Sequence, residues 1–197
     1  MHRKAEIWVV GLLAAAFAIG CGSAPSGTTA ISFKSPAVDA NGEIRGNVNC
    51  GWGSLWLPLE WGPVPPGTEE LAIYIGLFRH ETINGARKLV VSFGEIISNL
   101  DPALRRNRVN TLPNGAAPSY VGRSCPPVRS GQRVLQEIFA LDRVERYRPM
   151  NMRLARRLTE EALRSEGIDP DSRSAGPLTE DAVGIGRFIA IYGPTVQ

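Results

Sequence analysis

Apolar residues recur along the chain in two ways. Leu55, Leu57, Leu59 and Trp61 alternate at period two in "LWLPLEW", which defines one face of a strand. "LAIYIGLF" (Leu71–Phe78) and "KLVVSFGEII" (Lys88–Ile97) are nearly continuous apolar runs and predict central strands. "QRVLQEIFALD" (Gln132–Asp142) sets Val134, Gln136, Ile138 and Ala140 against Leu135, Glu137, Phe139 and Leu141, a strand with one strongly apolar face. "AISFKSPAV" alternates briefly, and "GRFIAIYG" predicts a closing strand over Arg187–Tyr192.

Helical spacing is confined to the C-terminal part. In "MNMRLARRLTEEALRSEG", Met150, Leu154, Leu158 and Ala162 recur every four residues, and Gly167 supplies a stop. "GPVPPGTEE" is a proline–glycine turn, and "IDPDSRSAGP" is a loop. Asn114–Gly131 holds three glycines and three prolines in eighteen residues and is read as loop. The pattern therefore predicts a mainly β domain with one late helix.

The first residues follow a different logic. "MHRK" is positive, "IWVVGLLAAAFAIG" is apolar, and "IGC" offers a small-residue cleavage point before Cys21. A cysteine in that place resembles a bacterial lipobox, although Ala18 stands where Leu or Val is usual. Ordinary cleavage near Cys21 and an uncleaved anchor are the other readings. The polar stretch Gly22–Ala30 then has tether composition. The expected organisation is a leader over 1–20, a tether over 21–30 and one domain over 31–197, exported to the cell envelope and lipid-anchored through Cys21.

Charge narrows the choice of partners only a little. Removing Arg3, Lys4 and Glu6 takes Lys+Arg from 22 to 20 and Asp+Glu from 19 to 18, leaving +2 on 177 residues. That does not argue for nucleic acid. Arginines do cluster at Arg105–Arg108 and Arg153–Arg157, with a solvated face as the plain reading. Cys50 and Cys125 would remain beside Cys21, and two cysteines in an oxidising compartment suggest one disulfide.

Signals for catalysis are scarce. His80 is the single histidine after the leader, so a two-histidine metal site is excluded and a histidine-based triad has one candidate. It follows a strand end and reads as a surface loop residue. No Gly-x-Ser-x-Gly elbow occurs, and the Glu69–Glu70 and Glu160–Glu161 pairs read as solvated carboxylates. The expectation is a non-enzymatic protein with no cofactor and no metal.

The order of several motifs resembles the phosphatidylethanolamine-binding protein family, which includes the Raf kinase inhibitor proteins and bacterial relatives. These are "CGWGSLWLPLEW" (Cys50–Trp61), "VPPGTEELAIYI" (Val64–Ile75), "YVGRSCPP" (Tyr120–Pro127) and "QRVLQEIFALD". The resemblance spans about Ile31 to Asp142 and, more weakly, the closing strand. It implies an antiparallel β-sandwich-like core with a peripheral C-terminal helix. It also implies an anion pocket for phosphate-type head groups, built from Asp-Pro-Asp carboxylates, two histidines and a Gly-Pro loop.

At that pocket the chain departs from the pattern. Counted without gaps, the Asp-Pro-Asp positions are Leu77, Phe78 and Arg79, and the histidine positions are Lys88 and Gln132. Val134 stands for a tyrosine and Arg123 for the loop proline, while Tyr120 and Gly122 are kept. A gap between Phe78 and Lys88 would instead bring His80 or Glu81 to the site. Arg79, Lys88 and Arg123 can hold an anion by direct ion pairing if they converge; alternatively, Leu77, Phe78 and Val134 fill the pocket. Trp52 and Trp56 replace a glycine and a serine of the motif and would border the pocket mouth. Two functions follow from the resemblance: a lipid-anchored binding protein for an anionic small molecule or phospholipid head group, or a scaffold or inhibitory module with a protein partner and no pocket.

Overall fold

The structure is a computed structural model in which residues 27–44, 57–107, 117–122, 130–144, 150–165 and 182–193 are described. Ten strands and one helix follow in chain order among these residues: β1 (Thr29–Ala30), β2 (Phe33–Lys34), β3 (Glu43–Ile44), β4 (Leu59–Trp61), β5 (Glu70–Ile83), β6 (Ala86–Leu100), β7 (Arg106–Asn107), β8 (Ala117–Gly122), β9 (Arg133–Leu141), α1 (Met152–Ser165) and β10 (Ala182–Tyr192). Seven strands form one sheet in the order β1-β10-β9-β5-β6-β8, with β3 also paired to β10; β2, β4 and β7 form a second sheet. The expected mainly β, sandwich-like architecture is thus present. The large sheet is mixed, because β1 and β3 both run parallel to β10 at one edge.

Alternation along the long strands divides their side chains between two cores. Ile73, Ile75, Leu77, Phe93, Ile97, Val134 and Ile138 face the small sheet, where Phe33, Leu57, Leu59 and Trp61 meet them. Tyr74, Phe78, Ile96, Leu135 and Phe139 point the other way and pack beneath α1. Strand β9 is therefore apolar on both faces, not one, since it lies between β10 and β5 and is covered by a layer on each side.

Helix α1 starts where Asn151 caps it, its Oδ1 accepting from the Leu154 N–H at 2.9 Å. Its buried face is Ala155, Leu158, Ala162 and Leu163, with Met150 and Leu154 only partly covered. The stripe thus turns slightly from the one predicted, because small residues meet at the contact. A Cβ added to Gly94 of β6 would lie 2.5 Å from the Ala155 Cβ. The Tyr74 hydroxyl donates to the Ala155 carbonyl at 2.8 Å and lies 2.9 Å from Thr159 Oγ1, which ties strand to helix.

Three local expectations are corrected. His80 is not in a loop: β5 runs on to Ile83 and turns through Asn84 and Gly85, whose φ angles of 53° and 77° suit a two-residue hairpin. His80 sits opposite Leu89 with its ring edge-on to Phe78. Ala117–Gly122 is likewise strand, not loop; β8 ends the strand order of the large sheet, and an edge strand tolerates a proline such as Pro118. Glu70 and Glu160 are buried rather than solvated. Glu70 accepts from the Asn99 N–H at 2.8 Å, and Glu160 pairs with Arg156 at 2.7 Å.

Candidate functional site

The pairing register of the large sheet fixes which candidate residues can meet. Phe78 pairs with Arg133 and Leu77 with Val134 across β5 and β9. Leu77 and Val134 are both wholly buried on the face toward the small sheet, whereas Phe78 is buried on the helix side. Of the three apolar residues at the pocket positions, two therefore occupy the inter-sheet layer and the third faces away from it.

Of the candidate cations, Arg79 and Lys88 do not gather there. Arg79 is bound through its guanidinium to Glu81, its neighbour on the same face of β5, near the exposed end of the hairpin. Lys88 is exposed and stands directly opposite Glu81 in the β5–β6 ladder. The hairpin leaves no loop between Phe78 and Lys88 to swing these residues inward. Gln132 is buried and donates from Nε2 to Ser92 Oγ at 3.0 Å, while Ser92 Oγ lies 3.4 Å from the Leu77 carbonyl it can donate to. The two strand ends are thus joined by a neutral amide–hydroxyl link.

Tyr120 and Gly122 belong to β8, opposite Glu95 and Phe93 respectively. Cys21, Cys50, Trp52, Trp56, Arg123 and Cys125 lie outside the described residues, and with them the expected lipidation, the disulfide and the two tryptophans of the pocket mouth.

One row across the inter-sheet face was not singled out by sequence reasoning. Phe188, Gln136, Ile75 and Glu95 stand side by side on β10, β9, β5 and β6. Glu95 and Gln136 are both wholly buried, and neither carboxyl oxygen nor either amide atom has a hydrogen-bond partner. Burial raises the Glu95 pKa from the ordinary 4.5 to about 8, so the acid is mostly protonated at neutral pH. The Tyr192 hydroxyl, also in the inter-sheet core, is buried and unpartnered, and burial pushes its pKa upward. The sequence signal was slight: one acid in the apolar run "VVSFGEII", and one amide in mid-strand.

Chemically, the row offers an uncharged carboxyl and an amide, each both donor and acceptor, set among hydrocarbon. Such a face suits a neutral hydrogen-bonding group better than an anion.

No protein-family model matches the chain, and no curated protein matches it. Solved structures do. CT736 of Chlamydia trachomatis, described as a phosphatidylethanolamine-binding protein homolog, aligns at TM-score 0.52 and 16% identity over 84% of this chain and 98% of its own. YbcL of E. coli, described as a member of the mammalian family of that name, aligns at TM-score 0.46 and 15% identity over 83% and 98%. The fold of this chain is that of the phosphatidylethanolamine-binding protein homologs, as the likeness to CT736 shows and the order of motifs implied.

Proposed function

We propose that this protein is a non-catalytic binding protein of the phosphatidylethanolamine-binding type, exported and lipid-anchored through Cys21, whose ligand site has moved away from a titrating anion pocket. Its ligand is held between the sheets by neutral hydrogen bonds to Glu95 and Gln136. The observation that carries this reading is the burial of both side chains, unpartnered, on either side of Ile75. A buried polar group without a partner costs about 1–3 kcal/mol, and two in one row are a standing cost that a hydrogen-bonding guest removes. The engagement of Arg79 by Glu81 and the burial of Leu77 and Val134 argue against an anion at the strand ends.

Thermal-shift titration with glycerol and acetamide, set against phosphorylethanolamine, tests the proposal. Stabilisation by the neutral compounds that disappears in Glu95→Leu is expected. Phosphorylethanolamine binding that depends on Gln132 and Arg79 would overturn it. The closed Leu77–Val134 pair also favours a second reading, a pocketless scaffold acting on a protein partner; it predicts no small-molecule response at Glu95 at all.

A further inference from the structure

The small sheet carries a groove on its outer side. This groove, of about 300 Å³, is lined by Ser32, Lys34, Glu60, Trp61, Gly62, Arg105 and Arg106. Lys34, Glu60 and Arg106 stand side by side on β2, β4 and β7, so the register places two cations with a single carboxylate between them. Arg105 joins from the strand start, its NH1 donating to the carbonyls of Pro102 at 2.6 Å and Leu104 at 2.7 Å. Those two bonds fix the plane of its guanidinium. The indole N–H of Trp61 donates to the same Leu104 carbonyl at 2.8 Å, which stiffens the wall.

Three cations and one carboxylate leave an excess of two positive charges in this groove. The carboxylate does not neutralise them firmly. Lys34 and Glu60 are 3.5 Å apart with side chains 71% and 45% exposed, and an exposed pair of that kind holds its partners weakly. The Lys34 ammonium is therefore free to turn to a stronger acceptor. Two guanidinium forks and an ammonium around one concavity match the oxygens of a tetrahedral oxyanion.

We propose that this groove is a binding site for a phosphate-type oxyanion, separate from the inter-sheet row and on the opposite side of the small sheet from it. Arg105 forms its fixed wall, the exposed Arg106 and Lys34 close over the anion, and Glu60 limits the affinity by repulsion. The arginine cluster noted in the sequence thereby acquires a role beyond solubility. The same chemistry is offered by free phosphate and by the head groups of an anionic lipid surface.

The test is isothermal titration of the purified full chain with inorganic phosphate at low ionic strength, beside co-sedimentation with phosphatidylglycerol and with phosphatidylcholine vesicles. Arg106→Ala and Glu60→Gln are compared with the parent chain; Arg106 is exposed, and thermal melts confirm that both variants stay folded. Arg106→Ala is expected to weaken binding about tenfold, the loss of one charge-assisted contact, and Glu60→Gln to tighten it severalfold. A response to phosphate with this pattern supports the site with a free ion as its ligand. A response confined to phosphatidylglycerol vesicles, with the same pattern, supports it with a lipid head group. Binding that neither variant alters, or no binding to either probe at low salt, overturns the proposal.

Discussion

Glu95 and Gln136 flank Ile75 from the two neighbouring strands, wholly buried and without hydrogen-bond partners. Around them the inter-sheet core supplies Ile73, Leu77, Phe93, Ile97, Val134 and Ile138. An acid in that setting keeps its proton because ionising it means placing a charge in hydrocarbon.

Stability should accordingly depend on pH through Glu95. The folded-state pKa is raised to about 8 from an ordinary 4.5, so the contribution is fully present below about 4.5 and is lost as pH rises toward 8. The loss across that window is at most about 4–5 kcal/mol. Urea denaturation at intervals from pH 4.5 to 8.5 should show the parent chain weakening relative to Glu95→Gln, which has no proton to lose. Parallel curves for the two proteins would count against the assignment.

Neighbouring positions at the end of β5 should respond very differently to truncation. Leu77 is wholly buried against Val134, and Leu77→Ala should cost about 2–5 kcal/mol. Arg79→Ala removes an exposed pairing with Glu81 and should cost under about 0.5 kcal/mol. Denaturation midpoints of the two variants check this. A large loss in Arg79→Ala would mean that Arg79 does more than pair with Glu81.

The helix contact depends on the absence of a side chain at Gly94. With a Cβ only 2.5 Å from that of Ala155, Gly94→Ala should push α1 outward and lower stability by about 1–3 kcal/mol. A matching drop in Tm, with the strand content kept in circular dichroism, is the expected result.

Beneath the same helix, Arg187 pairs with Glu137 at 3.2 Å, the two side chains only 12% and 2% exposed. Removing one partner of a buried pair costs about 3–5 kcal/mol, so Arg187→Leu should destabilise far more than any change at Arg79. Equal midpoints for the two variants would contradict this.

Much of the fold could be read from the sequence, because long apolar strands announce themselves. Leu71–Phe78 and Lys88–Ile97 became the paired centre of the sheet, and the four-residue spacing after Met150 became α1. The hairpin end was missed although Asn84–Gly85 carries its signal, since the charged residues around His80 read as loop. Strand β8 was hidden by its glycine and proline content, which a sheet edge tolerates. The site was less legible still. Alignment of single positions placed Arg79 and Lys88 in a pocket, but only the register shows that Arg79 meets Glu81 instead. Glu95 and Gln136 lie 41 positions apart in the chain, and only pairing through β5 sets them in one row.

On its inter-sheet face the proposed site has an uncharged acid in place of a titrating anion pocket. Carbon-13 NMR of the Glu95 side-chain carboxyl, assigned by loss of its signal in Glu95→Gln and followed from pH 4 to 9, tests this most directly. A midpoint near 8 is expected. A midpoint at the ordinary carboxylate value of 4.5 would contradict it.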